Sequence, residues 1–112
     1  LIFFLQGESM SNEQNSAAAN LVISVEPGSL GIGLPSEERL IDIGRELTTS
    51  LFPDDVEKSL RVRGRIALID RGEDYDRFDL SLLFLYRESY TAVDHHVVFD
   101  VTEEKVTVVS SR

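Results

Sequence analysis

The sequence predicts an α+β fold in which an antiparallel β-sheet meander of four or more strands packs on one main α-helix. Two patterns indicate this fold. Apolar residues recur at three- and four-residue steps from Leu40 to Leu51, as they do on one face of a helix. From Arg61 onward, apolar residues alternate with polar ones, as they do in strands with one packed face. The predicted element order is β-β-α-β-β-β-β, and the helix and the sheet bury each other's apolar faces.

The first nineteen residues are set apart from this fold. Phe4-Leu-Gln-Gly7 resembles the Gln-Gly sites at which tags are cleaved, so we interpret residues 1–9 as a tag remnant and Met10 as the native start. A genuine edge strand is the alternative interpretation of residues 1–9. Residues 10–19 are small and polar with no apolar period, which indicates a flexible leader. We therefore expect a single α+β domain over residues 20–112.

The domain is expected to open with a hairpin. Leu21–Val25 is short and rich in β-branched residues, which predicts the first strand. Proline and glycine occupy the two central positions of Glu26-Pro-Gly-Ser29, which predicts a type II turn. Ser29–Leu34 would then return as the second strand.

The main helix is predicted over roughly residues 36–51. Ser36 can cap its first turn, and Glu37 and Glu38 place negative charge at its N-terminal end, where the helix dipole favours it. The helix should end before Pro53, because the residue that precedes a proline avoids helical geometry. Residues 53–60 fit one further helical turn with proline in its first position.

Four strands follow, over residues 61–69, 78–86, 93–101 and 106–110, with turns at 72–76, 88–91 and 102–105. The strand over 78–86 should be central, with its even-numbered residues facing the helix. Those residues are Phe78, Leu80, Leu82, Phe84 and Tyr86. Leu83 and Leu85 make its other face apolar too, so the N-terminal hairpin, a partner chain or neighbouring arginine stems must cover that face.

Composition narrows the classes of function. The net charge is −9, from 20 acidic and 11 basic residues, which suits a well-dispersed protein and opposes direct binding to nucleic acid or to an anionic membrane. The absence of cysteine excludes disulfides and thiolate metal sites. No apolar run approaches the roughly 20 residues of a transmembrane helix, and we expect a cytoplasmic protein without a cofactor.

Two motifs contain residue types that can carry chemistry. The glycines of Gly28–Gly33 lack the spacing and the Gly-Lys-Ser/Thr ending of phosphate-binding loops, so they favour a tight hairpin. In Asp94-His95-His96 the two histidines should point to opposite faces of a strand, with His95 partly buried on the core side and His96 solvated. Asp94 and His96 share a face, so a metal-dependent hydrolase built around them is one alternative function.

The alternating Arg61, Arg63 and Arg65 are interpreted as the solvent face of a strand, paired with acids such as Asp79 on the next strand. The competing interpretation is a surface that binds an acidic partner or RNA. An RNA reader would need aromatic side chains among the arginines, and the aromatic residues here fall mostly on the core-facing phase.

These observations favour a small acidic protein-binding module that is not an enzyme. It would act as an inhibitor, immunity factor or adaptor that occludes a basic surface of a protein partner, including as an acidic mimic of nucleic acid. The expected partner-binding residues are two acidic clusters and the apolar back of the central strand: Asp54, Asp55, Glu57, Glu73, Asp74, Asp76, Leu83 and Leu85. The other alternative is a structural homo-oligomer that pairs through the edge strand Lys105–Ser110.

Overall fold

The computed structural model describes residues 20–112. The interpretations of residues 1–9 and 10–19 concern segments outside this range. The elements in chain order are β1 (Leu21–Val25), a 3₁₀ turn (Pro27–Ser29), α1 (Glu37–Leu51), α2 (Pro53–Lys58), β2 (Ser59–Arg71), β3 (Asp76–Tyr86), β4 (Ala92–Val101) and β5 (Val106–Ser111).

The strands form one mixed five-stranded sheet in the order β1-β2-β3-β4-β5. Strands β2 to β5 make the predicted antiparallel meander with β3 at its centre, whereas β1 pairs with β2 in parallel. The α+β class is confirmed. The antiparallel meander is confirmed for β2 to β5, but the sheet as a whole is mixed because β1 is parallel. The order β-β-α-β-β-β-β is wrong, because the chain runs β-α-α-β-β-β-β and two helices, not one, lie in the crossover between β1 and β2.

The order was predicted wrongly because Ser29–Leu34, expected to be the second strand, is not a strand. Pro27–Ser29 close into a 3₁₀ turn in which the Ser29 amide donates to the Glu26 carbonyl at 2.8 Å, and Gly28 does not take the positive φ that a type II turn needs. The Ser29 hydroxyl is buried and accepts a hydrogen bond from the Leu68 amide at 2.7 Å. Gly33 has a φ of 82°, in the left-handed region, and redirects the chain toward α1.

Helix α1 follows its predicted bounds closely. Its N-cap is Ser36, whose hydroxyl accepts from the Arg39 amide at 3.1 Å. Leu40, Ile43 and Leu47 are buried on the sheet, as the periodicity predicts. Helix α2 begins at Pro53, and the chain enters β2 at Ser59.

The core lies on one face of the sheet, beneath the helices. Its largest fully buried side chains include Phe78 and Phe84 of β3 and Phe99 of β4. The opposite face is exposed, and no element within residues 20–112 packs over it. The N-terminal hairpin does not provide the cover proposed for Leu83 and Leu85, because β1 is an edge strand of the same sheet.

None of the helices within residues 20–112 has the length and apolar character needed to cross a bilayer.

Candidate partner-binding surfaces

A cleft of about 740 Å³ opens at the end of the sheet where two hairpin turns lie side by side. The β2–β3 turn closes with the Gly72 amide donating to the Tyr75 carbonyl at 2.8 Å, and the β4–β5 turn closes with the Thr102 amide donating to the Lys105 carbonyl at 3.0 Å. The pairing of Asp76 with Val101 holds the two turns together. Five carboxylate residues line this acidic cleft: Glu73, Asp74, Asp76, Glu103 and Glu104.

The two arginines of the acidic cleft already have partners. Arg39 donates through Nη2 to the Thr102 carbonyl at 2.9 Å, which ties α1 to the β4–β5 turn. Arg71 Nε lies 3.6 Å from Asp76 Oδ1, and its Nη2 donates to the Ile32 carbonyl at 3.4 Å. Four of the cleft carboxylates make no ion pair with any residue in 20–112: Glu73, Asp74, Glu103 and Glu104.

The acidic residues of α2 lie elsewhere. Asp54 and Glu57 are exposed, but they lie near the C-terminal end of β3. Glu73 and Asp74 lie at its N-terminal end. Because β3 has eleven residues, its two ends are separated by about 35 Å. The structure therefore does not join the two predicted acidic clusters into one surface.

Asp55 is half-buried rather than solvated, and it belongs to a polar network. The Tyr86 hydroxyl donates a short hydrogen bond to Asp55 Oδ1, and His95 Nε2 lies 3.6 Å from Asp55 Oδ2. The hydrogen bond to Asp55, followed by desolvation, raises the pKa of Tyr86 above its ordinary value. Asp55 thus holds α2 against the ends of β3 and β4.

His95 lies on the core side, as strand alternation predicts. Its ring stacks on Phe52 at 4.4 Å between centroids and meets the edge of Phe84 at 5.5 Å. Its Nδ1 atom is buried and has no hydrogen-bond partner within residues 20–112. The link from His95 through Asp55 to Tyr86 was not predicted from the sequence. Two features of the sequence could have indicated this link. Tyr86 falls on the core-facing side of β3, and Asp55 lies in the first turn of α2.

The exposed face of the sheet, which we call the open face, carries Arg61, Arg63 and Arg65 of β2. One cross-strand row runs Val22, Arg63, Leu83, Asp94 over β1 to β4. The proposed pairing of the arginines with Asp79 is wrong, because Asp79 lies opposite Ala67. Other contacts on the open face engage Arg65 and Asp79. Arg65 lies 3.7 Å from Glu26, and Asp79 Oδ2 lies 3.3 Å from His96 Nδ1.

Arg61 and Arg63 make no ion pair within residues 20–112. They line a shallow groove of about 450 Å³ beside Val22 and Ser24 of the edge strand β1. Val22 is 58 % exposed and Leu83 42 % exposed. The open face therefore combines exposed apolar side chains with two guanidinium groups that form no ion pair within the described part of the chain.

Ser81, His96 and Asp79 adjoin one another on the open face but differ from a nucleophilic triad. The Ser81 hydroxyl donates to Asp79 Oδ2 at 3.0 Å, and it lies 3.4 Å from His96 Nδ1, the same nitrogen that faces Asp79. A triad uses the two imidazole nitrogens for different partners, so that a proton passes from serine to histidine. Asp94 and His96 share this face, and no group of three or more His, Asp or Glu side chains in 20–112 is arranged to hold a metal ion.

Comparison with protein-family models, with curated proteins and with solved structures gives no match for this chain.

Proposed function

We propose that this protein is a small protein-binding module whose acidic cleft engages a basic surface of a protein partner. The observation that carries the proposal is the convergence of two turns, distant in sequence, around one concavity. Glu73 and Asp74 come from the β2–β3 turn, and Glu103 and Glu104 come from the β4–β5 turn. All four are exposed and lack an ion-pair partner within residues 20–112.

Electrostatics favours a basic protein surface as the occupant. A cleft in which one sign of charge predominates focuses its field, and five carboxylates here outnumber two arginines, so the cleft attracts lysine and arginine side chains more strongly than scattered carboxylates do. The net charge of −9 acts in the same direction at longer range and speeds encounter with a basic partner. The spread of the carboxylates over two turns suits a broad surface better than a single metal ion.

The mode of action that follows is occlusion. A partner whose working surface is basic, such as a nucleic-acid-binding groove, would be covered when its cations enter the acidic cleft. An inhibitor, an immunity factor or an adaptor would act in this way. Turn residues suit this role because they project charge outward and can be changed without disturbing the core.

The test compares two matched variants as baits. E73Q/D74N neutralises two carboxylates in the acidic cleft, and D54N/E57Q neutralises one Asp and one Glu on α2, at the other end of β3. Both variants should keep a wild-type melting temperature, because all four side chains are exposed. Capture from native lysate with mass spectrometry then identifies stoichiometric partners of each bait.

We expect wild type and D54N/E57Q to capture the same partner and E73Q/D74N to lose it. The association rate with the purified partner should fall as salt rises, since exposed charges are screened beyond about 10 Å at 0.1 M ionic strength. Equal capture by all three baits, with an association rate indifferent to salt, would refute the proposal and leave the charge as a determinant of solubility.

A further inference from the structure

We propose that the open face is the interface of a two-fold symmetric homodimer, so that a second copy of this chain covers Leu83 and Leu85. The proposal rests on the distribution of charge about the central strand. In the row Val22, Arg63, Leu83, Asp94, the apolar Leu83 lies on β3, with Arg63 one strand to one side and Asp94 one strand to the other.

Arg63 and Asp94 are both exposed, and neither makes an ion pair within residues 20–112. Neighbouring strands are about 4.8 Å apart, so the two charges lie at nearly equal distances on opposite sides of β3. A two-fold axis that runs along β3, between two facing sheets, therefore exchanges their positions. Each Arg63 then faces Asp94 of the partner subunit, and the pair occurs twice.

The centre of the interface would be apolar. Leu83 and Leu85 both lie on β3, so each would meet its own counterpart across the axis. Facing sheets pack about 10 Å apart with their strands rotated by about 30°, a gap that an arginine and an aspartate side chain span together. Leucines at the centre and ion pairs at the flanks match the usual anatomy of a protein interface, with an apolar core and a polar rim.

Two neighbouring rows are compatible with the same axis. Further along β3, Asp79 of each subunit approaches its own counterpart, and each of these carboxylates lies 3.3 Å from Nδ1 of its own His96. The row through Leu85 places Arg61 opposite the small Ala92, which leaves room for the arginine side chain. The row through Ser81 places Arg65 opposite His96, and Arg65 has Glu26 at 3.7 Å to balance its charge. A different protein would not require opposite charges placed symmetrically about the central strand. This symmetry favours a second copy of the chain as the occupant.

The dimer is independent of the proposed function. The acidic cleft lies in the turns at the end of the sheet, so it stays accessible when the open face is covered. Each dimer would then carry two acidic clefts.

The test is a charge exchange between two variants, R63D and D94R, measured by sedimentation velocity over a concentration series. Either variant alone places like charges opposite each other at both flanking positions. We expect each to dimerise at least about tenfold more weakly than wild type, because facing like charges oppose association.

An equimolar mixture of R63D and D94R should dimerise as wild type does. In the mixed dimer, the aspartate introduced by R63D faces the arginine introduced by D94R. The unchanged Asp94 of the first subunit faces the unchanged Arg63 of the second. Both flanking positions therefore regain a pair of opposite charges, which neither variant can form with its own copies.

The controls are K58D and E57R, which make equivalent charge changes at exposed positions of α2, away from the open face. They should dimerise as wild type does, and the melting temperature of every variant should show that it is folded. A wild-type protein that stays monomeric at all concentrations would overturn the proposal. Dimerisation of R63D and D94R as strong as that of wild type would also overturn it, and pairing through the β5 edge would give that result. So would an equimolar mixture of the two variants that fails to recover wild-type dimerisation.

Discussion

Replacing Gly64 with alanine is expected to destabilise the protein, although alanine is ordinarily the better residue inside a strand. Gly64 lies in the middle of β2, paired with Ile23 on one side and Leu82 on the other. A β-carbon at this position would lie 2.6 Å from Ile23 Cδ1, 3.0 Å from Leu82 Cδ2 and 3.1 Å from Leu80 Cδ1. All three neighbours are buried side chains of the core.

Two opposing effects set the magnitude. Alanine restricts the unfolded chain more than glycine does, which alone would stabilise the fold by about 0.4–1 kcal/mol. The added methyl group must displace three packed side chains at once, and overpacking of this kind costs about 1–3 kcal/mol. We therefore expect a net loss of about 1–2 kcal/mol in the free energy of unfolding, with a fall of about 4–8 °C in melting temperature for each kcal/mol.

Denaturant unfolding of a double-mutant cycle with Ile23→Val tests the cause. Ile23→Val removes Cδ1, the atom nearest the new methyl group, and should by itself cost about 0.5–1.5 kcal/mol. The double variant should lose less than the sum of the single losses, by about 0.5 kcal/mol or more, because the two changes share one contact. Gly28→Ala is the control, since no atom of residues 20–112, apart from its chain neighbours, lies within 4 Å of a β-carbon there.

A neutral or stabilising Gly64→Ala would refute this reasoning about close packing. Strict additivity with Ile23→Val would show that the loss arises elsewhere than at the contact between β1 and β2.

Three further predictions concern the core, a helix cap and the tyrosine network. Alanine at Leu47 or Phe84, both fully buried, should each cost about 2–5 kcal/mol in urea unfolding, and losses below about 0.5 kcal/mol at both would contradict the assigned core face. Ser36→Ala should cost about 1 kcal/mol, because it removes the side-chain acceptor of the first turn of α1, whereas Ser36→Asn should retain most of the stability. Alkaline absorbance titration of wild type should show a tyrosine that ionises late, and Tyr86→Phe should lack it, because the bond to Asp55 raises the pKa of Tyr86. A pKa raised by folding makes this contribution to stability complete below about pH 10 and lost as pH rises through the folded value, so Tyr86→Phe should show less alkaline destabilisation.

The local patterns of the sequence determined the elements whose causes lie within a few residues. Three local signals placed α1 within one residue of its observed bounds: its apolar period, its Ser36 cap and Pro53 after its end. Each of these signals spans only one or two helical turns of sequence. Strict alternation placed β2 to β5 and identified the core-facing side of β3, because successive strand side chains must point to opposite faces. Pairing of consecutive strands needed only short turns, which the sequence also marks.

The tertiary structure decided the features that depend on closing long loops. Whether β1 pairs with the next segment or with β2 depends on competing contacts, and the buried Ser29 hydroxyl bonded to Leu68, 39 residues away, belongs to the parallel arrangement. Packing between other distant segments joins Asp55 to Tyr86, and the pairing of β3 with β4 brings the β2–β3 and β4–β5 turns around one cleft. Residues far apart in sequence meet only when the whole sheet is assembled, so no local pattern records their proximity. For this reason the sequence determined which residues face the core and which carry charge, whereas the tertiary structure decided which of those charges share a surface.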